Sequence, residues 1–253
     1  MKNRFLPLIA TLIVIAVNAA ASLLPINGYG TGELSDLYPT GFTPPGYVFS
    51  IWSVIYLGLI AYSVMAIRQL PRSRQRLESL QAPYLLSALG NAGWIFAWHY
   101  RLIELSVAVM LFLLGCLIVI FRRLWSQPAP STGEFLSIDG PFSLYFGWIS
   151  TATLVNAAAM FHEWQWYPFG LVMNEWAVVS VCFATAIYVW MGAVTRNLVY
   201  CAVFLWAATG IFMGKPIITE PVRVAAITGV AAVALCMLWA LFNPRRRASL
   251  RGP

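Results

Sequence analysis

The sequence predicts an all-α fold, a polytopic transmembrane helix bundle of about eight helices. Composition, the spacing of charges and the placement of basic residues each point to it. Of 253 residues, 60% are hydrophobic and only 10% are charged, and the mean hydropathy is +0.74. Soluble domains carry roughly 25% charged residues, so the solvent for most of this chain is lipid.

Cutting the chain at its ionisable residues isolates eight uncharged apolar runs, at residues 5–24, 47–67, 82–98, 105–121, 141–161, 176–195, 197–214 and 224–242. Each lies near the roughly 20 residues that cross about 30 Å of hydrocarbon at 1.5 Å per residue. Lipid offers no hydrogen bond to an open backbone, so each run is expected to be helical. The runs 105–121 and 197–214 are short and are the weakest of the eight.

With eight crossings the termini share a side. That side holds Lys2, Arg4, Arg68, Arg72, Arg74, Arg76, Arg122, Arg123, Arg196, Arg245, Arg246, Arg247 and Arg251, which is 13 of the 16 basic residues. Arg101, Lys215 and Arg223 fall on the other. Basic residues near helix ends stay cytoplasmic, so a multi-pass protein with both termini in the cytoplasm is expected. Seven crossings would put the Arg245, Arg246 and Arg247 cluster outside.

The net charge of +7 then needs no nucleic-acid partner, because cytoplasmic-loop cations anchor to anionic lipid headgroups. Cys116, Cys182, Cys201 and Cys236 lie inside the expected spans without Cys-x-x-Cys spacing. They read as small packing residues rather than metal ligands or disulfides. Lys2 and Arg4 before an apolar run, with Ala19, Ala20 and Ala21 near its end, resemble a signal peptide. A run of about 20 residues is long for one and reads as a retained first helix.

The connections differ in character. Residues 25–46 form a long Gly-, Pro- and Tyr-rich loop with two charges, Glu33 and Asp36. That composition suits a lid over a cavity or a plain connector. Residues 68–81 read as a basic turn and 126–140 as a polar linker. Trp164, Trp166 and Tyr167 come after the fifth run and suit an interfacial aromatic belt.

Three motifs stand out in order. Phe42, Pro44 and Pro45 lead into an apolar run carrying Phe49, Trp52 and Tyr56. Prolines lack an N–H and suit the entry of a helix, not its interior. In the third run Asn91, Trp94 and Trp98 stand three and seven apart and share a helical face, with Phe96 between them. In the fifth run Trp148 precedes Asn156 by eight residues, with Ser150, Ala152 and Thr153 between.

Together these motifs resemble the TspO/MBR family, the tryptophan-rich sensory and translocator proteins. The resemblance implies a TspO-like five-helix membrane domain over residues 1–161, extended by a three-helix membrane segment over 162–253. It also implies a site beneath the first loop for a porphyrin, haem-related tetrapyrrole or sterol, with no cofactor required. The residues it carries over are Phe42, Pro44, Pro45, Phe49, Trp52, Tyr56, Asn91, Trp94, Trp98, Trp148 and Asn156. This chain departs from the pattern in the loop, where Asp36, Leu37, Tyr38 and Pro39 replace a Trp-Tyr pair and a Lys-Pro step, and Phe42 replaces a Trp. Phe49 and Trp52 are three apart where the family has four, and one helical residue fewer rotates the remainder of the helix by about 100°. The facing of Trp52 is therefore open.

Two accounts fit Asn91 and Asn156. They are hydrogen-bonded glue between helices, worth about 0.6–2 kcal/mol each, or they are the polar anchors of an aromatic small-molecule pocket. Glu175 is the acidic residue nearest to a span interior; at the outer end of the sixth run an interfacial helix start is preferred to a functional carboxylate. His99 and His162 lie at helix ends without carboxylates at ligand spacing, a poor metal site.

The expected function is a non-enzymatic membrane sensor or carrier of a flat hydrophobic ligand. A secondary transporter is the alternative, compatible with Glu175 but without an inverted repeat or Gly/Pro-broken helices. Porphyrin breakdown is associated with the family, yet no acid–base or metal cluster appears in the chain. Small residues on several helices permit close contacts within one chain or in a homodimer. A reporter fused after Pro253 that is active only in the cytoplasm is expected to be active; activity of one that works only outside would reverse the topology.

Overall fold

The computed structural model describes residues 3–24, 26–214 and 218–243. Pro25, Lys2, Lys215, Arg245, Arg246, Arg247 and Arg251, which enter the lid and topology arguments, lie outside these residues. Among the described residues, eight helices of 15 residues or more match the eight apolar runs. They are α1 (Leu6–Leu23), α2 (Ile51–Arg68), α3 (Arg74–His99), α4 (Ile103–Trp125), α5 (Gly140–Glu163), α6 (Met173–Thr195), α7 (Leu198–Phe212) and α8 (Glu220–Phe242).

Six of these are long and apolar enough to cross a membrane. The exceptions have physical reasons. Helix α3 is 26 residues long but spends polar residues on the bundle interior, where Ser87, Asn91 and His99 are buried. Helix α7 has 15 residues, about 22 Å at 1.5 Å per residue, and is shorter than the run 197–214 that predicts it. Asn197 sets its start as N-cap, with Oδ1 accepting the Tyr200 N–H at 3.0 Å.

Two segments read as connections are helical instead. Helix α3 begins at Arg74, two turns before its apolar run, because Arg76 is neutralised in place. Its Nη1 lies 2.8 and 2.7 Å from the two carboxylate oxygens of Asp139, and its Nη2 donates to the Pro128 carbonyl at 2.6 Å. The 126–140 linker becomes helical at Thr132. There Ser131 and Glu134 form a capping box, the Glu134 carboxylate accepting the Ser131 N–H at 2.8 Å. A π-turn, Phe135–Asp139, then feeds α5.

Helix α3 packs along α1 and α4, α4 along α5, and α8 along α6 and α7. The last three helices join the first five through α5. Gly147 makes that possible: a Cβ there would lie 2.9 Å from Val203 Cγ2 on α7. Tyr188 on α6 donates to the Gly147 carbonyl at 2.6 Å and lies 2.8 Å from the Thr151 hydroxyl. One apolar core runs from Ala21 on α1 to Val233 on α8 without a break at residue 161.

The buried Arg76–Asp139 pair yields a stability prediction. Removing one partner of such a pair strands a charge and costs about 3–5 kcal/mol, whereas replacing both with apolar residues costs far less. Thermal unfolding of the detergent-purified protein should therefore show a large Tm loss in Arg76→Leu, with substantial recovery in the Arg76→Leu/Asp139→Leu double variant.

Candidate functional site

At the end of the bundle opposite the Arg76 cluster, the first loop folds over the ends of α2, α3 and α5. Its central turn is a short helix, Thr31–Asp36. Tyr38 packs on the Trp98 ring with centroids 5.5 Å apart, and Arg101 Nε donates to the Tyr38 hydroxyl at 3.2 Å. His99 is fully buried beneath the loop. Its Nε2 lies 2.9 Å from Thr31 Oγ1 and its Nδ1 3.1 Å from the Ile26 carbonyl. Both ring nitrogens are thus committed to holding the loop.

Beneath the loop is a cavity of about 40 Å³. Thr31 and Ser35, one turn apart on the loop helix, form its roof with Pro44. Phe49 and Trp52 come from the entry to α2, Trp94 and Trp98 from α3. Trp148, Thr151, Ala152, Val155 and Asn156 form the α5 wall.

Aromatic rings brace one another around this space. Trp94 and Trp98 stack at 5.8 Å with 16° between planes. Phe49 and Trp52 both meet Trp148 edge-on, at 5.8 and 6.2 Å. The three-residue spacing of Phe49 and Trp52 proves compatible with a shared wall in part because Gly46–Ser50 is a 3-10 turn. At three residues per turn each residue of the turn advances about 120° instead of about 100°, which offsets part of the missing residue's rotation before Trp52 in α2.

Polar groups fall into two sets. Asn156 Oδ1 accepts the Trp94 indole N–H at 2.9 Å, and its Nδ2 donates to Ser106 Oγ at 2.9 Å. That chain ties α3, α5 and α4 while presenting Asn156 at the wall. The indole N–H groups of Trp98 and Trp148, by contrast, are buried and have no hydrogen-bond partner among the described residues.

Of the residues read from the sequence, Pro44, Phe49, Trp52, Trp94, Trp98, Trp148 and Asn156 are brought together here. Phe42 lies in a separate apolar cavity of about 20 Å³, which shares Pro44, Thr151 and Val155 with the first. Pro45 caps the 3-10 turn. Tyr56 stacks behind Trp52 at 5.5 Å. Asn91 does not line the cavity: its Nδ2 donates to Tyr145 OH at 2.9 Å and its Oδ1 accepts from Asn18 Nδ2 at 2.8 Å. For Asn91 the account as glue between helices describes these contacts.

Thr31, Ser35 and His99 were not legible as site residues. The loop contains no apolar period to place them, and only the i, i+4 spacing of Thr31 and Ser35 hints at a common face. No wall residue is an acid, base or thiol. Among the described residues no group of three or more His, Cys, Asp or Glu could hold a metal ion.

A family model described as TSPO-like protein matches residues 4–239, so the match takes in α6, α7 and nearly all of α8 as well as the first five helices. No curated protein and no solved structure matches the chain.

The loop is held by few bonds, and His99 supplies two of them. Each such bond is worth about 1 kcal/mol net. In His99→Ala, amide hydrogen exchange over residues 26–38 is expected to rise roughly tenfold while residues 110–120 of α4 stay protected. Unchanged exchange over 26–38 would remove His99 as the anchor.

Proposed function

The chain belongs to the TSPO-like protein family, and on that premise we propose that this integral membrane protein binds a flat apolar ligand bearing hydrogen-bond acceptors under the Thr31–Asp36 loop. The observation that carries the reading is the pair of unpaired indole N–H groups on Trp98 and Trp148. A buried donor without a partner costs about 1–3 kcal/mol, and two around one cavity are most simply relieved by a ligand oxygen or nitrogen. Indole faces on three helices add large, stiff contact area at low entropic cost. A tetrapyrrole offers both a flat face and carboxylate acceptors, and a sterol-like molecule offers a single oxygen.

The cavity, about 40 Å³, falls far short of the roughly 300–1,000 Å³ usual for a small-molecule site. A porphyrin enters only if the loop lifts. Loop opening and binding are then coupled, which suits a sensor or carrier. The absence of acids and bases from the wall supports binding without acid–base catalysis. The transporter reading rests on Glu175, but that side chain is exposed and accepts the Val172 N–H at 3.1 Å as a helix-start group.

Titrating purified protein with protoporphyrin should quench tryptophan fluorescence saturably. Trp148→Phe keeps an aromatic ring and removes the N–H, and should weaken binding about two- to twelvefold, as expected for about 0.5–1.5 kcal/mol. Absence of saturable quenching by any tetrapyrrole overturns the tetrapyrrole assignment.

A further inference from the structure

At the opposite end of the bundle is a second and larger chamber, of about 200 Å³. It opens where α4 and α6 end and α5 and α7 begin, level with Arg76 and Arg123. One wall is apolar and aromatic, with Phe121 and Trp125 stacked at 6.0 Å. The other wall is polar, with Ser143, Arg196 and Asn197.

Arg196 is unusual on three counts. Its backbone is left-handed, at φ 52 and ψ 34, a helix-ending conformation that glycine normally takes and that costs other residues about 1–2 kcal/mol. Its guanidinium stacks on the Trp239 ring at 4.6 Å. Its Nε–H is buried with no hydrogen-bond partner, and no ion pair joins it to a carboxylate among the described residues. A fixed, partly desolvated and unneutralised cation is expensive unless an anion visits it.

The surroundings favour such a visitor. Asp139, the one carboxylate in the chamber wall, is neutralised by Arg76 at 2.7 Å. Asn197 and Ser143 are bonded to each other at 2.7 Å and set the rim without competing for Arg196. Leu198 and Val199 line the chamber in the first turn of α7, where amides have no intrahelical acceptor and the helix dipole favours negative charge. The aromatic wall suits glycerol and the first methylenes of an acyl chain.

We propose that this chamber holds the phosphate headgroup of an anionic phospholipid, with Arg196 as its cation and the Phe121–Trp125 wall against its glycerol and chain root. A phosphate on a stacked guanidinium gains charge-assisted hydrogen bonds that a zwitterionic headgroup, carrying its own ammonium, competes for. The site is independent of the tryptophan cavity, and its failure would leave the reading of that cavity untouched.

The test uses the full chain, delipidated in neutral detergent, with thermal stability and native mass spectrometry as readouts and three probes: phosphatidylglycerol, phosphatidylcholine and inorganic phosphate. Phosphatidylglycerol should bind saturably and at least fivefold tighter than phosphatidylcholine. Arg196→Gln should abolish that preference, and the exposed cation change Arg68→Gln, at the same end, should leave it within twofold. Val199→Trp, which fills the chamber with the charge intact, should also abolish it, so the test does not hang on one variant. Equal binding of the two lipids, or an undiminished preference in both chamber variants, overturns the proposal. If inorganic phosphate alone gives the whole stabilisation and the lipid adds none, the chamber takes a free anion and the lipid assignment is overturned.

Discussion

Hydrocarbon accepts no hydrogen bond, and that one fact organises this bundle. Every polar side chain carried into the spans has to find a partner on another helix or on its own backbone. The Asn18, Asn91 and Tyr145 chain ties α1, α3 and α5. Trp94, Asn156 and Ser106 tie α3, α5 and α4. Thr11 meets both Ser63 and the Tyr84 hydroxyl, joining α1 to α2 and α3. Among the described residues the buried side-chain atoms without a partner are the Tyr62 hydroxyl, Thr219 Oγ1, the indole N–H groups of Trp98 and Trp148 and Arg196 Nε; the last three border cavities.

Legibility in the sequence depends on what carries the signal. Hydropathy and charge spacing are summed over about 20 residues and survive local irregularity, so the eight helices could be read directly. The indole wall was legible because 3.6-residue spacing fixes a face before any tertiary contact is known, but Asn91, on the same stripe as Trp94 and Trp98, bonds Asn18 and Tyr145 instead of lining the cavity. The start of α3 was hidden because Arg74 and Arg76 look like solvated loop cations until Asp139, 63 residues beyond Arg76, is seen beside it. The roles of Asn91 and Asn156 could not be separated from sequence, since an amide that bridges helices and one that lines a wall have the same local pattern. Asn156 does both and Asn91 only the first. The shared wall of Phe49 and Trp52 depended in part on a 3-10 turn, Gly46–Ser50, that the Pro44–Pro45 step permits but does not dictate.

The last three helices acquire a structural meaning from the way they meet the others. Gly147 brings α7 against α5, and Gly192 would place a Cβ 2.9 Å from both Cys201 and Cys236 on α7 and α8. The small side chains let backbones approach where dispersion, rather than a hydrophobic drive, must hold helices together in lipid. One result is that Phe42 of the first loop lies not against the tryptophan cavity but among Val181 of α6 and Ile211 of α7, with Ala158 of α5. Through Phe42 the loop above the cavity is anchored partly by the segment beyond the first five helices, which the family match also spans.

The two ends of the bundle are stabilised by different physics, and this sets which end yields first. The basic end is pinned by a buried ion pair, a capping box and the Ser73 hydroxyl donating to Glu134 at 3.1 Å, charge-assisted contacts whose loss strands a charge. The loop end is held by neutral bonds from His99, Asn27 and Thr31, by the exposed Arg101 guanidinium on the Tyr38 hydroxyl and by Tyr38 packed on Trp98, with no buried ion pair at this end among the described residues. Neutral bonds of about 1 kcal/mol each are readily exchanged for water, so partial opening draws on the loop end before the basic end. The loop end therefore yields first, while the opposite end keeps the helices in register.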